Sequence, residues 1–130
     1  MAIEFEVSTV IAKTPQELYN AWLDSGEHAR MTGAGAKVSD KAGEAFEAWD
    51  GYIQGKNLEL EPGRRIIQAW RTSEFSETDK DSVIEVLFEA VEGGTKITLM
   101  HTNLPPHGKQ YEKGWHESYF QPMKAYFEGE

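Results

Sequence analysis

The residues best suited to chemistry in this sequence are its four histidines, His28, His101, His107 and His116. Imidazole exchanges protons near neutral pH and is a common metal ligand. Glu112 and His116 are placed so that they could share one face of a helix. A zinc site needs three or four protein ligands, so we interpret this pair as solvated residues at a helix end. We therefore predict no metal ion, and the pattern gives no positive evidence for a histidine–carboxylate pair that exchanges protons with a substrate.

The motifs of common enzymes are missing from the sequence. No serine lies in a nucleophile-elbow motif, and Gly33-Ala34-Gly35 lacks the third glycine and the acidic partner of a dinucleotide-binding loop. The sequence contains no cysteine, which excludes disulfides and thiolate metal sites and fits a reducing compartment. We expect a binding protein without a cofactor rather than an enzyme, with a cavity-based activity as the alternative.

The charge and hydropathy of the chain limit its partners. The net charge of −9 repels a phosphate backbone, so no nucleic-acid partner is expected. The acidic surplus includes Glu74, Glu77, Asp79 and Asp81, which we interpret as solvated surface, with docking of a basic partner as the alternative. No apolar run approaches the roughly 18 residues of a membrane span, and Met1–Val10 lacks the basic start of a signal peptide. We expect no membrane association and a cytoplasmic location.

The N-terminal quarter of the chain predicts one strand followed by two short helices. Apolar and polar residues alternate from Ile3 to Ile11, as in a half-buried strand. Thr14-Pro15-Gln16-Glu17 has the pattern of a capping box with proline in the first helical turn. Asp24 repeats this start signal for a second helix, which Gly33 is expected to end.

The middle of the chain predicts a series of strands joined by short turns. Asp50-Gly51, Pro62-Gly63 and Gly93-Gly94 mark three of the turns. Short connections require neighbouring strands to run antiparallel. The predicted strands are Glu44–Trp49, Tyr52–Leu60, Arg65–Arg71, Ser82–Ala90 and Thr95–Thr102.

The C-terminal segment Lys113–Phe127 returns to helical spacing. Trp115, Tyr119, Met123 and Tyr126 are expected to share one face, and Pro122 is expected to bend the helix. A sheet of about six strands with one apolar face must be covered, and this helix is the predicted element long enough to cover it. We therefore predict an α+β fold in which a curved antiparallel sheet wraps around a long C-terminal helix, as one domain over residues 1–130.

Four stretches of the sequence resemble one known family. They are His28–Gly33, Phe46–Gly55, Pro62–Arg71, and His101–Pro105 followed by Gly114-Trp115. Together they resemble the activators of Hsp90 ATPase of the C-terminal-domain type, within the START/Bet v 1-like (SRPBCC) superfamily. The resemblance implies a helix-grip fold with a cavity between sheet and helix, where superfamily relatives bind lipids, sterols, polyketides or hormones. It also implies an Hsp90-family chaperone as a possible partner, although the eukaryotic namesake has two domains and this chain resembles the C-terminal one.

Period-two alternation assigns the faces of three strands. The residues predicted to face inward are Ile66, Gln68 and Trp70, then Ile84, Val86 and Phe88, then Ile97, Leu99 and His101. The inward set contains two polar groups, Gln68 and His101, in an otherwise apolar wall. They either satisfy each other, a backbone group or a buried water, or they contact a ligand. A catalytic role is the third alternative.

The four tryptophans leave a similar choice open, because large aromatic side chains fill cores and also line cavities. The sequence does not decide whether the cavity is open or filled by Trp115 and Tyr119. We predict a non-enzymatic domain that holds a small hydrophobic ligand between the sheet and the C-terminal helix. The alternative is a chaperone-associated, stress-related interaction module of the Hsp90 type. The residues predicted to line the cavity are Gln68, Trp70, Ile84, Val86, Phe88, Leu99, His101, Trp115 and Tyr119.

Overall fold

A computed structural model describes residues 3–128 and shows one six-stranded antiparallel sheet with the strand order β1-β6-β5-β4-β3-β2. The predicted sheet of about six antiparallel strands is confirmed. The curved sheet packs its inner face against a C-terminal helix. The strands are β1 Ile3–Ile11, β2 Ala45–Ala48, β3 Ile53–Glu61, β4 Arg65–Thr72, β5 Ser82–Val91 and β6 Gly94–Leu104.

Two short helices follow β1, as predicted: α1 Pro15–Trp22 and α2 Ser25–Thr32. The capping box of α1 is complete. The hydroxyl of Thr14 accepts a hydrogen bond from the backbone N–H of Glu17, and the carboxylate of Glu17 accepts one from the backbone N–H of Thr14. Gly33 ends α2 in the left-handed conformation, with φ of 85°.

The C-terminal helix begins earlier than predicted and is not uniform. A 3₁₀ turn at Pro106–Lys109 leads into α3 Gln110–Gly114, then a π-helical turn at Trp115–Phe120, then α4 Gln121–Glu128. We call the segment Gln110–Glu128 the C-terminal helix. Pro122 cannot donate a backbone hydrogen bond, and it lies directly after the π-helical turn, in which the N–H of Gln121 donates to the carbonyl of His116. The proline is thus accommodated by a widened turn.

The widened turn changes which residues of the helix face the sheet. Trp115, Tyr119 and Met123 are buried, as predicted, but Tyr126 is 38% exposed. Its hydroxyl donates a hydrogen bond to Glu27 on the surface. Phe127 packs against the core instead. The prediction for Tyr126 was wrong because it assumed a constant helical period through a segment that contains a π-helical turn.

The inward faces of the three central strands are confirmed. All nine residues predicted to face inward, from Ile66 to His101, are at most 5% exposed. The core therefore lies between the sheet and the C-terminal helix, and α1 and α2 extend it at one end. Within residues 3–128, no helix is both long and apolar enough to cross a membrane.

We predict that Gly55→Ala destabilises the protein because no room exists for a side chain in the middle of β3. A Cβ atom at Gly55 would lie 1.9 Å from the carbonyl oxygen of Ala69 and 2.7 Å from the ring of Phe46. The free energy of unfolding should fall by about 2–3 kcal/mol in urea denaturation, the range for overpacking a core.

Gly26→Ala is the matched control. Gly26 lies in α2, and a Cβ atom added there would first contact the flexible end of the Arg30 side chain. Alanine is the better helix former, so this variant should be stabilised by about 0.5–1 kcal/mol. Equal stability of the Gly55→Ala protein and the wild type would contradict the close approach of β2, β3 and β4.

Candidate functional site

His101 lies at the centre of a fully buried chain of hydrogen bonds. The indole Nε1–H of Trp115 donates to His101 Nδ1 at 3.0 Å, and His101 Nε2 lies 2.8 Å from Ser82 Oγ. The Ser82 hydroxyl in turn donates to the carbonyl oxygen of Trp70 at 2.7 Å. The chain connects the C-terminal helix to β6, β5 and β4. We call these four groups the His101 relay.

The partners of His101 fix its protonation state. An indole nitrogen can only donate, so His101 Nδ1 must be the acceptor and Nε2 carries the proton. The ring is therefore neutral, and burial lowers the pKa of His101 to about 3. Both nitrogens are engaged and the side chain is 0% exposed. The ring positions neighbouring groups and is not presented to a substrate.

Gln68 belongs to a second buried polar chain. Its amide nitrogen donates to Asn57 Oδ1 at 2.9 Å, and the amide nitrogen of Asn57 donates to the carbonyl oxygens of Ser39 and Lys41. This chain ties β4 and β3 to the loop before β2. Gln68 and His101 are therefore not bonded to each other, which removes one of the alternatives that the sequence left open.

The space between α1, α2 and the C-terminal helix is filled by aromatic rings. The ring centroids of Trp22 and Tyr119 are 5.2 Å apart, and those of Trp115 and Tyr119 are 4.8 Å apart. The Tyr119 hydroxyl donates to His28 Nε2 at 2.8 Å, while His28 Nδ1–H donates to the carbonyl oxygen of Trp22. Burial raises the pKa of Tyr119 and lowers that of His28, so both stay neutral. Trp115 and Tyr119 thus fill this part of the interior.

An open cleft remains at the end of the sheet where the β2–β3 hairpin faces the C-terminal helix. Its volume is about 320 Å³, which is near the lower limit for small-molecule pockets. The hairpin, β4 and the helix each contribute walls, and most of the lining is apolar. The residues that line it are Trp49, Tyr52, Ile53, Trp70, Glu74, Gln110, Tyr111, Gly114, Trp115, Ser118 and Tyr119. We call this space the hairpin cleft.

The turn that forms one wall of the cleft has an unusual backbone. Trp49, Asp50 and Gly51 have positive φ values of 53°, 57° and 91°. Left-handed conformations of non-glycine residues are unfavourable by about 1–2 kcal/mol each. Asp50 offsets part of this cost, because its carboxylate accepts from the N–H of Gly35 and its own N–H donates to the carbonyl of Gly35. The indole Nε1–H of Trp49 is buried and has no hydrogen-bond partner among residues 3–128.

The nine residues predicted to line a cavity separate into two groups in the structure. Trp70, Trp115 and Tyr119 line the hairpin cleft. The other six lie in the core and do not line it: Gln68, Ile84, Val86, Phe88, Leu99 and His101. The structure thus brings together the aromatic members of the set, while the two polar members are hydrogen-bonded within the core.

Several site residues did not emerge from the sequence. Ser82 shares the inward alternation of Ile84, so extending that pattern by one step would have found it. His28 was named among the four histidines, but its burial beside Met31 and Thr32 at helical spacing was not predicted. The burial of Asn57 was not predicted, because a register shift between Asn57 and Glu59 breaks the alternation of apolar and polar residues along β3.

The described residues offer no clear metal centre. Across positions 3–128, no group of three or more histidine, cysteine, aspartate or glutamate side chains is arranged to hold an ion. Glu112 instead forms an ion pair with Lys109 at 2.9 Å, and His116 packs against the ring of Phe120.

The neutral state of His101 predicts a pH-dependent stability. The unfolded chain takes up a proton at His101 near pH 6.5, whereas the folded protein does so only near pH 3. Protons therefore bind the unfolded state preferentially, and stability falls as the pH drops from about 6.5 towards 3. We expect His101 to account for a loss of about 2 kcal/mol between about pH 7.5 and 5 in urea denaturation.

The matched variants for this test are His101→Gln and His116→Gln. His101→Gln should be less stable at neutral pH by about 1–3 kcal/mol, because it disrupts the relay. Its further loss on acidification should be smaller than that of the wild type by about 2 kcal/mol. His116 is exposed, so its variant should behave as the wild type does. An unchanged pH profile in His101→Gln would refute the neutral assignment.

Comparison with known proteins shows similarity along most of the chain. The chain is 26% identical to the activator of 90 kDa heat shock protein ATPase homolog of Dictyostelium discoideum over 117 residues, which are 88% of this chain and 30% of that protein. It is 26% identical to human homolog 1 over 115 residues, which are 88% of this chain and 34% of that protein. The chain thus spans about a third of the length of these curated relatives.

Solved structures support the same assignment. The crystal structure of an HSP90 activator from Plasmodium falciparum superposes with a TM-score of 0.86 at 26% identity, covering 95% of this chain and 94% of that chain. A protein from Chromobacterium violaceum superposes with a TM-score of 0.77 at 22% identity, covering 98% and 99%, and supports the fold alone. The family described as "Activator of Hsp90 ATPase homolog 1-like protein" matches residues 12–128. The chain therefore belongs to the family of activator of Hsp90 ATPase homolog 1-like proteins.

Proposed function

We propose that this chain is a non-enzymatic, chaperone-associated interaction module that binds an Hsp90-family chaperone and stimulates its ATPase. The observation that carries the proposal is the match to the family over residues 12–128. It is supported by the likeness to the Plasmodium falciparum HSP90 activator, which is 26% identical over 95% of this chain. A cytoplasmic location, which the sequence favours, accompanies this proposal.

The interior of the domain is consistent with binding rather than catalysis. His101 and His28 are buried, neutral and hydrogen-bonded at both ring nitrogens, so neither is available to exchange protons with a substrate. The polar chains instead connect helix to sheet and make the domain rigid. A rigid surface binds a partner with little loss of conformational entropy.

The charge of the domain gives the proposal a measurable signature. A net charge of −9 favours encounter with a basic surface and makes the association rate sensitive to salt. Surface carboxylates without an ion-pair partner within residues 3–128 include Glu74, Glu77 and Asp79. We infer that the partner presents a positively charged face.

We expect the purified chain to bind the Hsp90-family chaperone of its own organism and to raise its rate of ATP hydrolysis. Calorimetry should give a saturable isotherm whose dissociation constant increases between low and high salt, because screening weakens the attraction. A coupled ATPase assay checks the stimulation, with the residual rate in the presence of an ATP-competitive chaperone inhibitor subtracted. Absence of binding together with an unchanged ATPase rate would refute the proposed function.

Binding of a small hydrophobic ligand between sheet and helix is the second candidate function. The specific observation in its favour is that Trp70, Trp115 and Tyr119 line the hairpin cleft. Since the space beneath them is filled by side chains, we propose that such a ligand would occupy the cleft rather than the core.

We expect saturable shifts of the Trp70 and Trp115 indole resonances if a member of the right ligand class binds. The measurement is an NMR titration with a fatty acid, a sterol and a flat aromatic compound in turn. The indole of Trp22 lies outside the cleft lining and contacts it only through the rings of Trp115 and Tyr119, so its resonance should shift less than those of Trp70 and Trp115. No saturable shift with any of the three would count against this second candidate.

A further inference from the structure

We propose that the hairpin cleft docks a large apolar side chain from a protein partner, whose adjacent residue is basic. The proposal rests on the proposed function and assigns the docking site for the partner. Two features of the cleft carry it: the open position at Gly114 and the carboxylate of Glu74.

Gly114 leaves an unfilled position on the helical wall of the cleft. A Cβ atom added there would meet no heavy atom within 4 Å, so no contact of the chain itself requires a glycine at this place. Its φ of −60° is helical, so the backbone does not require one either. Glycine within a helix is less favourable than alanine. The proposal accounts for glycine at this position, because the partner's side chain would approach the helix backbone at Gly114.

Trp49 contributes to the cleft wall from the β2–β3 turn. Its indole Nε1–H is buried and unpaired among the described residues, and the residue lines the cleft. The turn that holds it is unfavourable at two non-glycine positions, Trp49 and Asp50. The ring of Trp49 thereby lies in the wall of the cleft, where it offers an apolar surface to the anchor.

Glu74 sets the charge of the partner. Its carboxylate accepts a hydrogen bond from the amide of Gln110 at 2.6 Å, and it forms no ion pair within residues 3–128. It begins an acidic loop that continues with Glu77, Asp79 and Asp81. A lysine or arginine of the partner, next to its apolar anchor, would complement the negative charge of Glu74.

The shape of the cleft favours a side chain of a protein over a free ligand. The cleft is open to solvent, and its volume of about 320 Å³ suits one large anchor rather than an enclosed lipid. Interfaces typically rely on a few such anchors in pockets surrounded by polar groups. The apolar floor formed by Trp70 and Trp115, with Glu74 among the lining residues, has this arrangement.

The test compares binding of the Hsp90-family chaperone to matched variants by calorimetry. Gly114→Phe should fill the cleft and weaken binding at least tenfold. Ala125→Phe adds the same side chain at an exposed position on the same helix outside the cleft, and should bind as the wild type does. Gly114→Ala should raise the melting temperature and weaken binding less than Gly114→Phe does.

A second pair of variants tests the charge without changing the shape. Glu74→Gln keeps an acceptor for Gln110 but removes the charge, and should weaken binding severalfold with a smaller salt dependence. Glu77→Gln removes the same charge from the same loop outside the cleft lining and should have a smaller effect on both. This pair keeps the proposal testable even where Gly114→Phe fails to fold.

The outcomes separate this proposal from the proposed function. If the Gly114→Phe and Glu74→Gln variants both bind the chaperone as tightly as the wild type does, the docking site is overturned and the proposed function stands. A wild type that does not bind the chaperone would overturn both. Saturable binding of lauric acid that is lost in Gly114→Phe, while chaperone binding is retained, would make the cleft a small-molecule site and overturn the docking proposal.

Discussion

A buried imidazole must accept from one partner and donate to another, and His101 meets this requirement only while the C-terminal helix sits in one position on the sheet. Trp115 supplies the donor from the helix and Ser82 the acceptor from β5. The Ser82 hydroxyl then donates to the backbone of β4. Leaving any of these groups unpaired in the core would cost about 1–3 kcal/mol. The relay therefore fixes the register between helix and sheet more sharply than apolar packing alone would.

Fixing the helix in this way determines where free space remains. Trp115 is held over His101, and Tyr119, one turn further along, stacks on Trp22 and bonds to His28. These rings occupy the interior between the first helices and the sheet. Space remains where the helix passes the β2–β3 hairpin, whose turn projects Trp49 alongside it. The hairpin cleft is thus a consequence of how the relay seats the helix.

Much of this architecture was predictable from local patterns, and the exceptions have physical causes. The capping box at Thr14, the left-handed cap at Gly33 and the inward faces of β4, β5 and β6 depend on neighbouring residues alone. The π-helical turn before Pro122 changes the helical period, and the register shift in β3 changes the strand alternation. Neither change is visible in the local sequence pattern. The partners of His101 and the hairpin cleft depend on elements far apart in the chain. They follow only from the assembled fold.

The distribution of unfavourable features in the molecule also points to the cleft. The core histidines, Gln68 and Asn57 are hydrogen-bonded, whereas the indole of Trp49 is not. Arg65 has the other unpaired buried nitrogen within residues 3–128, but its remaining nitrogens bind three glutamates. Two of the three non-glycine residues with positive φ in this range, Trp49 and Asp50, also belong to the hairpin turn. Features that local stability does not explain concentrate at functional surfaces, and here two of them, the unpaired indole and the left-handed backbone of Trp49, belong to a residue that lines the hairpin cleft.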